Sequence, residues 1–333
     1  MTETDETEAR LEQRIVSDDE AHMRLDRFLR RHHPGLTQGV IQRLCRTGQV
    51  RVAGKRVEAS TRLEPGQAVR IPPTPDANAP TRHTIDLNAH EAADLAKRVL
   101  YRDDDVLVLD KPAGLATQGG KGIARHLDGM LEALQFGAAE RPKLVHRLDR
   151  GTSGVLILAR NSFAASALAA AFRGRDAAKI YWALVVGLPI PLEGRIDLPL
   201  ARIGGAGART KPAARNDEQA AAAITDYRTL DHAGRKFAWL ELRPLTGRTH
   251  QLRAHCAALE TPILGDAPYA GARAYAEGFE KQMHLHARRL SIAHPRGGVL
   301  EIEAEAPPHI RNALTSLGFT IPRAAPPVLH RRS

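Results

Sequence analysis

His146-Arg147-Leu148-Asp149-Arg150-Gly151-Thr152-Ser153-Gly154 runs directly into Val155-Leu156-Ile157-Leu158. The second stretch is a short, unbroken apolar run, the pattern of a strand covered on both faces. The first holds one acid between two arginines and then Gly, Thr, Ser and Gly, which is turn chemistry. Together they describe a turn that holds a single carboxylate at the mouth of a sheet. Positive charge beside a carboxylate favours its ionised form, against the opposing effect of burial. A carboxylate held this way can act as a nucleophile or a general base. It can equally be part of a turn tied down by ion pairs, and these residues alone leave both readings open.

Outward from this segment, strand patterns recur at 106–109, 181–186, 223–230, 237–242, 284–292 and 299–304. Helical patterns fall at 122–135, 162–172, 249–259 and 308–317. Many strands with interspersed helices, lacking regular βαβ alternation, predict an α+β domain. Its core is a mixed, largely antiparallel sheet with flanking helices, over residues 96–320, and residues 321–333 form a C-terminal tail. The glycine-rich stretch 203–207 reads as an exposed loop. Gly119-Gly120-Lys121-Gly122 lacks the spacing and hydroxyl of a nucleotide-binding phosphate loop. There is no dinucleotide fingerprint and no metalloprotease helix, and Gly151 to Gly154 has the wrong spacing for a nucleophile elbow. His250 with His255, and His284 with His286, have no cysteine or carboxylate cluster beside them and read as structural histidines. The expectation is chemistry by ordinary side chains, with no cofactor and no metal.

The N-terminal part has a different character. The 333-residue chain carries a net charge of +10, unevenly spread. Residues 1–23 balance to −6, residues 24–70 to +8, and the remainder is again +8 over a much longer stretch. Arginine dominates: 39 Arg stand against nine Lys. Residues 1–14 read as a disordered acidic tail. In residues 15–71, Leu25, Phe28 and Leu29 mark one helix, ended by Pro34-Gly35. Thr37 is a candidate N-cap for a second helix, whose apolar stripe is Val40, Ile41, Leu44 and Cys45. A hairpin turning near Gly54 and a strand at 68–71 follow. The exposed cations Arg24, Arg27, Arg30, Arg31, Arg43, Arg46, Arg51, Lys55 and Arg56 make this compact module a candidate grip for a polyanion. A proline-rich linker spans 72–95, with four prolines in its first twelve residues.

Length predicts two domains, and the 43% hydrophobic content excludes a wholly disordered chain. No apolar run approaches the ~20 residues that cross a bilayer. The acidic start MTETDETEAR lacks a leader's basic and apolar regions, and Cys45 and Cys256 are too few and too distant for a disulfide framework. A cytoplasmic monomer is expected.

Residues 24–71 resemble an S4 RNA-binding domain, through RLDRFLRR, GQVRVAGKRV and LEPGQAVRI. HRLDRGTSG at 146–154 is similar to the signature of the A family of ribosomal large-subunit pseudouridine synthases. DKPAG at 110–114, KIYWALVVG at 179–187, TGRTHQLRAH at 246–255 and LHA at 285–287 with His294-Pro295 are similar to further family motifs, in the same order. The resemblance covers about residues 99–307 and is nearest the family's C type, with the D type as sibling. It implies cofactor-free isomerisation of uridine in RNA, after extrusion of the base, with large-subunit ribosomal RNA as partner. It also implies Asp149 as the catalytic carboxylate, either attacking C1′ or assisting elimination to a glycal. Tyr181 is implied to stack on the base, Arg253 to partner Asp149 and Arg147 to hold the flipped conformation. Lys179, Leu285 and His146 are implied to line the substrate pocket. One departure is Thr117-Gln118, where relatives often carry Val-His. The reading of a different class is a non-catalytic RNA-binding assembly factor; retention of Asp149, Tyr181 and Arg253 argues against it.

Overall fold

A computed structural model of the chain describes residues 12–33, 36, 38–72, 85–120, 122–174, 176–203, 209–217 and 219–330. The Pro34-Gly35 stop, the Thr37 cap, Lys121 and most of the glycine-rich loop lie outside the described residues, as do 1–11, 73–84 and 331–333. The chain divides into two units, residues 1–84 and 85–333, each described by itself.

In the first unit, helix Leu25–His32 buries Leu25, Phe28 and Leu29, and helix Gln38–Arg46 buries Ile41, Leu44 and Cys45. These stripes pack with Val16, Val50, Val52, Leu63, Val69 and Ile71 into one core. Each fully buried side chain of this size contributes about 1.5–3 kcal/mol. The helices cover an antiparallel sheet ordered Glu12–Ile15, Ala68–Ile71, Arg51–Val52, Lys55–Arg56. Residues 12–14, expected in the acidic tail, are therefore strand: Glu12, Gln13 and Arg14 pair with Ile71, Arg70 and Val69. Their side chains carry no apolar alternation, because this edge strand is held by backbone bonds and leaves even Ile15 59% exposed.

The second unit is built on an eleven-stranded sheet. Its main path runs Glu193–Asp197, Ile224–Ala233, Phe237–Pro244, Ala178–Val186, Leu285–Ala293, Ser153–Ala159, Val106–Lys111, Val99–Arg102. Every neighbouring pair on it is antiparallel except one. Leu285–Ala293 runs parallel to Ser153–Ala159, with His286 opposite Ser153 and Ala287 opposite Gly154. The α+β expectation with a largely antiparallel sheet is met. All seven residues of Ser153–Ala159 are buried, and its two faces serve two cores. Val155, Ile157 and Ala159 pack on helix Ser162–Gly174 and on Leu290 and Ile292. Leu156 and Leu158 pack on Leu107, Leu109, Leu127, Leu131 and Leu148. That is why the run after the turn is continuously apolar.

Three expectations change. The helix expected at 122–135 is confined to Leu127–Met130 and a 3₁₀ turn at Leu131–Leu134. Bridges between Gly120 and Ile123 and between Ala116 and His126 hold the preceding residues out of a helix. Within the expected linker, helix Ala89–Ala96 forms behind an Asn88–Glu91 capping box. In the expected C-terminal tail, Val328–His330 adds to the sheet beside Val299–Glu303.

Gly154 has φ +105°, and a Cβ there would lie 2.3 Å from the Ala287 carbonyl oxygen. Only glycine lets the signature turn enter the parallel pair. Gly154→Ala is expected to destabilise the protein by about 3 kcal/mol or more. A denaturant midpoint within error of wild type would refute this.

Candidate active site

The turn that carries Asp149 is built by bonds to a distant segment. Thr117 Oγ1 donates to the Leu148 carbonyl at 2.6 Å and accepts from the Leu148 amide at 3.2 Å. Gly114 N–H donates to Arg150 O at 2.8 Å, and Arg150 Nε returns a bond to Gly114 O at 3.0 Å. Beneath them Lys111, fully buried, donates to the carbonyls of Pro112 and Leu115 at 2.9 and 2.8 Å. Burial pushes its amine down to about 8, with Asp149 and Asp110 opposing. Burial pushes neighbouring Asp110 up to about 6. The strand 106–111 thus ends in two buried or half-buried ionisable side chains, Asp110 and Lys111. Thr117 clamps the backbone beside Asp149.

Asp149 faces a cavity of about 1030 Å³. Arg253, from helix Gln251–Ala258, places Nη1 3.4 Å from Asp149 Oδ2. Its stronger bonds go elsewhere: Nε and Nη2 each lie 2.7 Å from the oxygens of Asp266, which is 1% exposed. Tyr269 stacks against the guanidinium at 4.8 Å. Burial disfavours the Arg253 cation, but Asp266 and Asp149 outweigh it and hold its pKa above the ordinary value. Asp266 therefore sets the direction of Arg253, and Asp149 receives one long contact from it. On the other side, His250 Nε2 lies 3.8 Å from Asp149 Oδ1.

The same cavity is lined by Tyr181, Lys179, Leu285, Arg147 and His146, so all seven catalytic and pocket candidates converge. Tyr181 and Lys179 project from one face of strand Ala178–Val186. Burial, reinforced by the Asp149 charge, raises the Tyr181 pKa, and its hydroxyl stays protonated. Burial lowers that of Lys179. Leu285 is 2% exposed and forms an apolar wall. Arg147 is exposed at the rim. His146 plays a supporting part: its Nε2 accepts from the Ile157 amide at 3.0 Å and its ring stacks on Phe172. Its contacts are to the sheet, which it ties to the start of the turn.

Sequence reasoning misses Asp266, Tyr269 and Thr117 as functional candidates and reads His250 as structural. Nothing local marks them; a buried arginine needing a second carboxylate is the one available signal. His255, His284 and His286 are buried away from Asp149, as expected. Among the described residues no group of three or more His, Cys, Asp and Glu is placed to hold a metal ion, and no helix is long and apolar enough to cross a membrane.

In the first unit the nine cations divide. Arg24 is paired with Asp26, and Arg31 with Asp19 and Glu20. Arg30 bonds Gln38, while Arg51 and Arg56 bond backbone carbonyls. Arg27, Arg43, Arg46 and Lys55 are exposed and make no ion pair to any described residue. Arg24, Arg46 and Arg56 border one groove of about 720 Å³.

Asp149 thus lies in a cleft lined by several arginines, with the half-buried Tyr181 in the same wall. The family model described as RNA pseudouridylate synthase matches residues 105–258, and that of the S4 domain matches residues 23–69. The chain belongs to the RNA pseudouridylate synthase family and is an isomerase with an S4 domain ahead of its catalytic unit. A protein of Rickettsia conorii named ribosomal large subunit pseudouridine synthase C is 35% identical, over 88% of this chain and 96% of its own length. A Vibrio cholerae protein of the same name is 36% identical, over 91% and 95%. A solved structure, human RNA pseudouridylate synthase domain containing 4, is 29% identical and superposes with a TM-score of 0.60, covering 70% of this chain and 97% of its own.

Two buried histidines, His284 and His286, and the half-buried His146 tie this unit together. Burial pushes His146 down to about 3 and both His284 and His286 to about 4. All three are neutral in the folded protein at pH 6.5, whereas unfolded histidines begin to protonate there. As pH falls from about 6.5 towards 4 the unfolded chain binds the extra protons. Stability should then drop by up to about 1.4 kcal/mol per pH unit for each histidine. Urea midpoints measured at pH 7.5 and 5 check this; equal midpoints would contradict it.

Proposed function

We propose that this protein isomerises uridine to pseudouridine in large-subunit ribosomal RNA, with Asp149 as the catalytic carboxylate. The carrying observation is the Asp149 carboxylate in the cavity, touched end-on by an Arg253 whose own direction is set by Asp266. The relatives named ribosomal large subunit pseudouridine synthase C support the RNA class and favour the C type over the D type or a tRNA-directed enzyme.

The reaction breaks N1–C1′, forms C5–C1′, releases the C5 proton and leaves a proton on N1. A uridine in folded RNA is extruded first, at an unstacking cost of a few kcal/mol. Arg147 stands at the rim, where it can hold the opened RNA. Tyr181 offers its ring face to the extruded uracil and Leu285 an apolar wall. Asp149 then acts at the sugar, by attack on C1′ or by assisting elimination to the glycal. Arg253 stabilises the carboxylate without binding it so tightly that it is withdrawn from reaction. Lys179 brings a partly buried cation, suited to an RNA oxygen.

The S4 unit supplies phosphate contacts, which position the RNA and give salt-dependent affinity. Residues 15–71 would form this gripping module and 96–320 the catalytic one, in the cytoplasm.

The chemical reading is tested with large-subunit ribosomal RNA carrying tritium at uracil C5. The protein should release tritium, and Asp149→Asn should lower the single-turnover rate by about 10²–10⁴-fold. No release from any ribosomal or transfer RNA would overturn the reading, and mapping the product nucleotides identifies the site. The division of labour is tested by Arg27→Ala, Arg46→Ala and Lys55→Ala combined. Affinity should fall, and the slope of log K against log salt should flatten by about one for each phosphate interaction removed. The rate on saturated complexes should stay unchanged; an unaltered salt slope would count against an RNA-gripping face.

A further inference from the structure

Asp149 has two oxygens, and only Oδ2 is served by Arg253. The group opposite Oδ1 is His250, whose Nε2 is 3.8 Å away. Hydrogen-bond accounting assigns the proton on that ring. The Thr210 amide donates to the Tyr269 hydroxyl oxygen at 3.0 Å. The Thr210 hydroxyl spends its own proton on the Thr249 carbonyl at 2.9 Å. The Tyr269 proton is left to its nearest acceptor, His250 Nδ1 at 3.1 Å; Thr210 Oγ1 is further, at 3.3 Å. A neutral imidazole that accepts at Nδ1 carries its hydrogen on Nε2. The backbone reinforces this placement. His250 precedes helix Gln251–Ala258 with φ +54° and ψ +22°, a left-handed conformation uncommon outside glycine, although histidine adopts it more readily than most residues. Such conformations persist where the surroundings enforce them, often at functional sites.

The geometry points to His250 as a positioning residue for the catalytic carboxylate: Tyr269 sets its tautomer, and its Nε2–H is presented to Asp149 Oδ1. Asp149 is then held by one donor on each oxygen, and the 3.8 Å gap closes when substrate fills the cavity. Burial keeps the ring below its ordinary pKa, with Asp149 and Asp266 opposing and Arg253 and Arg147 reinforcing. The neutral, tautomer-defined form is therefore the one present. This rests on the reading of Asp149 as the catalytic group.

Two substitutions separate donor from backbone. A glutamine amide reaches the position of Nε2, whereas an asparagine amide reaches only that of Nδ1. Asparagine, however, suits the left-handed backbone better. A merely structural role therefore favours His250→Asn over His250→Gln, and a donor role favours the reverse. The readout is single-turnover tritium release from C5-labelled large-subunit ribosomal RNA, beside filter-binding affinity. His250→Asn should be slower by roughly 10- to 100-fold, the size of a lost hydrogen bond to a charged group. His250→Gln should recover to within about 5-fold of wild type. Tyr269→Phe should also slow release with affinity unchanged, because the ring is then free to move its proton to Nδ1. Asparagine matching or exceeding glutamine, or Tyr269→Phe releasing at the wild-type rate, overturns the inference. An Asp149→Asn variant run alongside separates the two claims. If it stays active, the catalytic reading itself fails; if it is inactive while the His250 and Tyr269 variants match wild type, only the positioning role fails.

Discussion

The bidentate pair between Arg253 and Asp266 is the constraint on which the site depends. Both bonds are 2.7 Å and both residues are nearly excluded from water. A buried guanidinium left without a partner is strongly destabilising, so the helix bearing Arg253 and the segment bearing Asp266 must stay docked. That docking leaves one N–H of the guanidinium over Asp149. It also brings Tyr269 over the guanidinium face and beside His250. One ion pair therefore orients four side chains around the Asp149 carboxylate.

The sheet provides the other half of that arrangement. The parallel contact between Ser153–Ala159 and Leu285–Ala293 sets the signature turn beside Leu285 and, one strand further, beside Tyr181. Gly154 is the point of closest approach, and the Thr117 and Gly114 bonds clamp the turn, with Lys111 tying down the segment that carries them. The carboxylate is thus carried on a short turn fixed at both ends, while its Arg253 contact stays long. The result is a rigidly placed carboxylate with a weakly engaged oxygen.

Much of this is legible along the chain. The apolar run at 155–158, the turn before it and the amphipathic helices of the first unit are local patterns, and they lie where the periodicities put them. Asp149, Tyr181 and Arg253 are recognisable through motifs. The failures have physical causes. Glu12–Ile15 joins a sheet by backbone bonds without apolar alternation, and Val328–His330 does likewise. The stretch 122–135 carries a helical pattern that bridges to neighbouring segments override.

The sequence by itself determined the two-unit organisation, the sheet class, the cationic character of the N-terminal module and the identity of the central carboxylate. Each is written in composition, period-two or period-3.6 patterning, or a contiguous motif. Only the tertiary structure decided which groups face that carboxylate. Asp149 and Arg253 are 104 positions apart, Leu148 and Thr117 31, and Thr210 and Tyr269 59. Contacts of that span leave no local periodicity, because they exist only once the strands have paired and brought the segments together. The same holds for the donors and acceptors around His250, which the folded chain alone assembles.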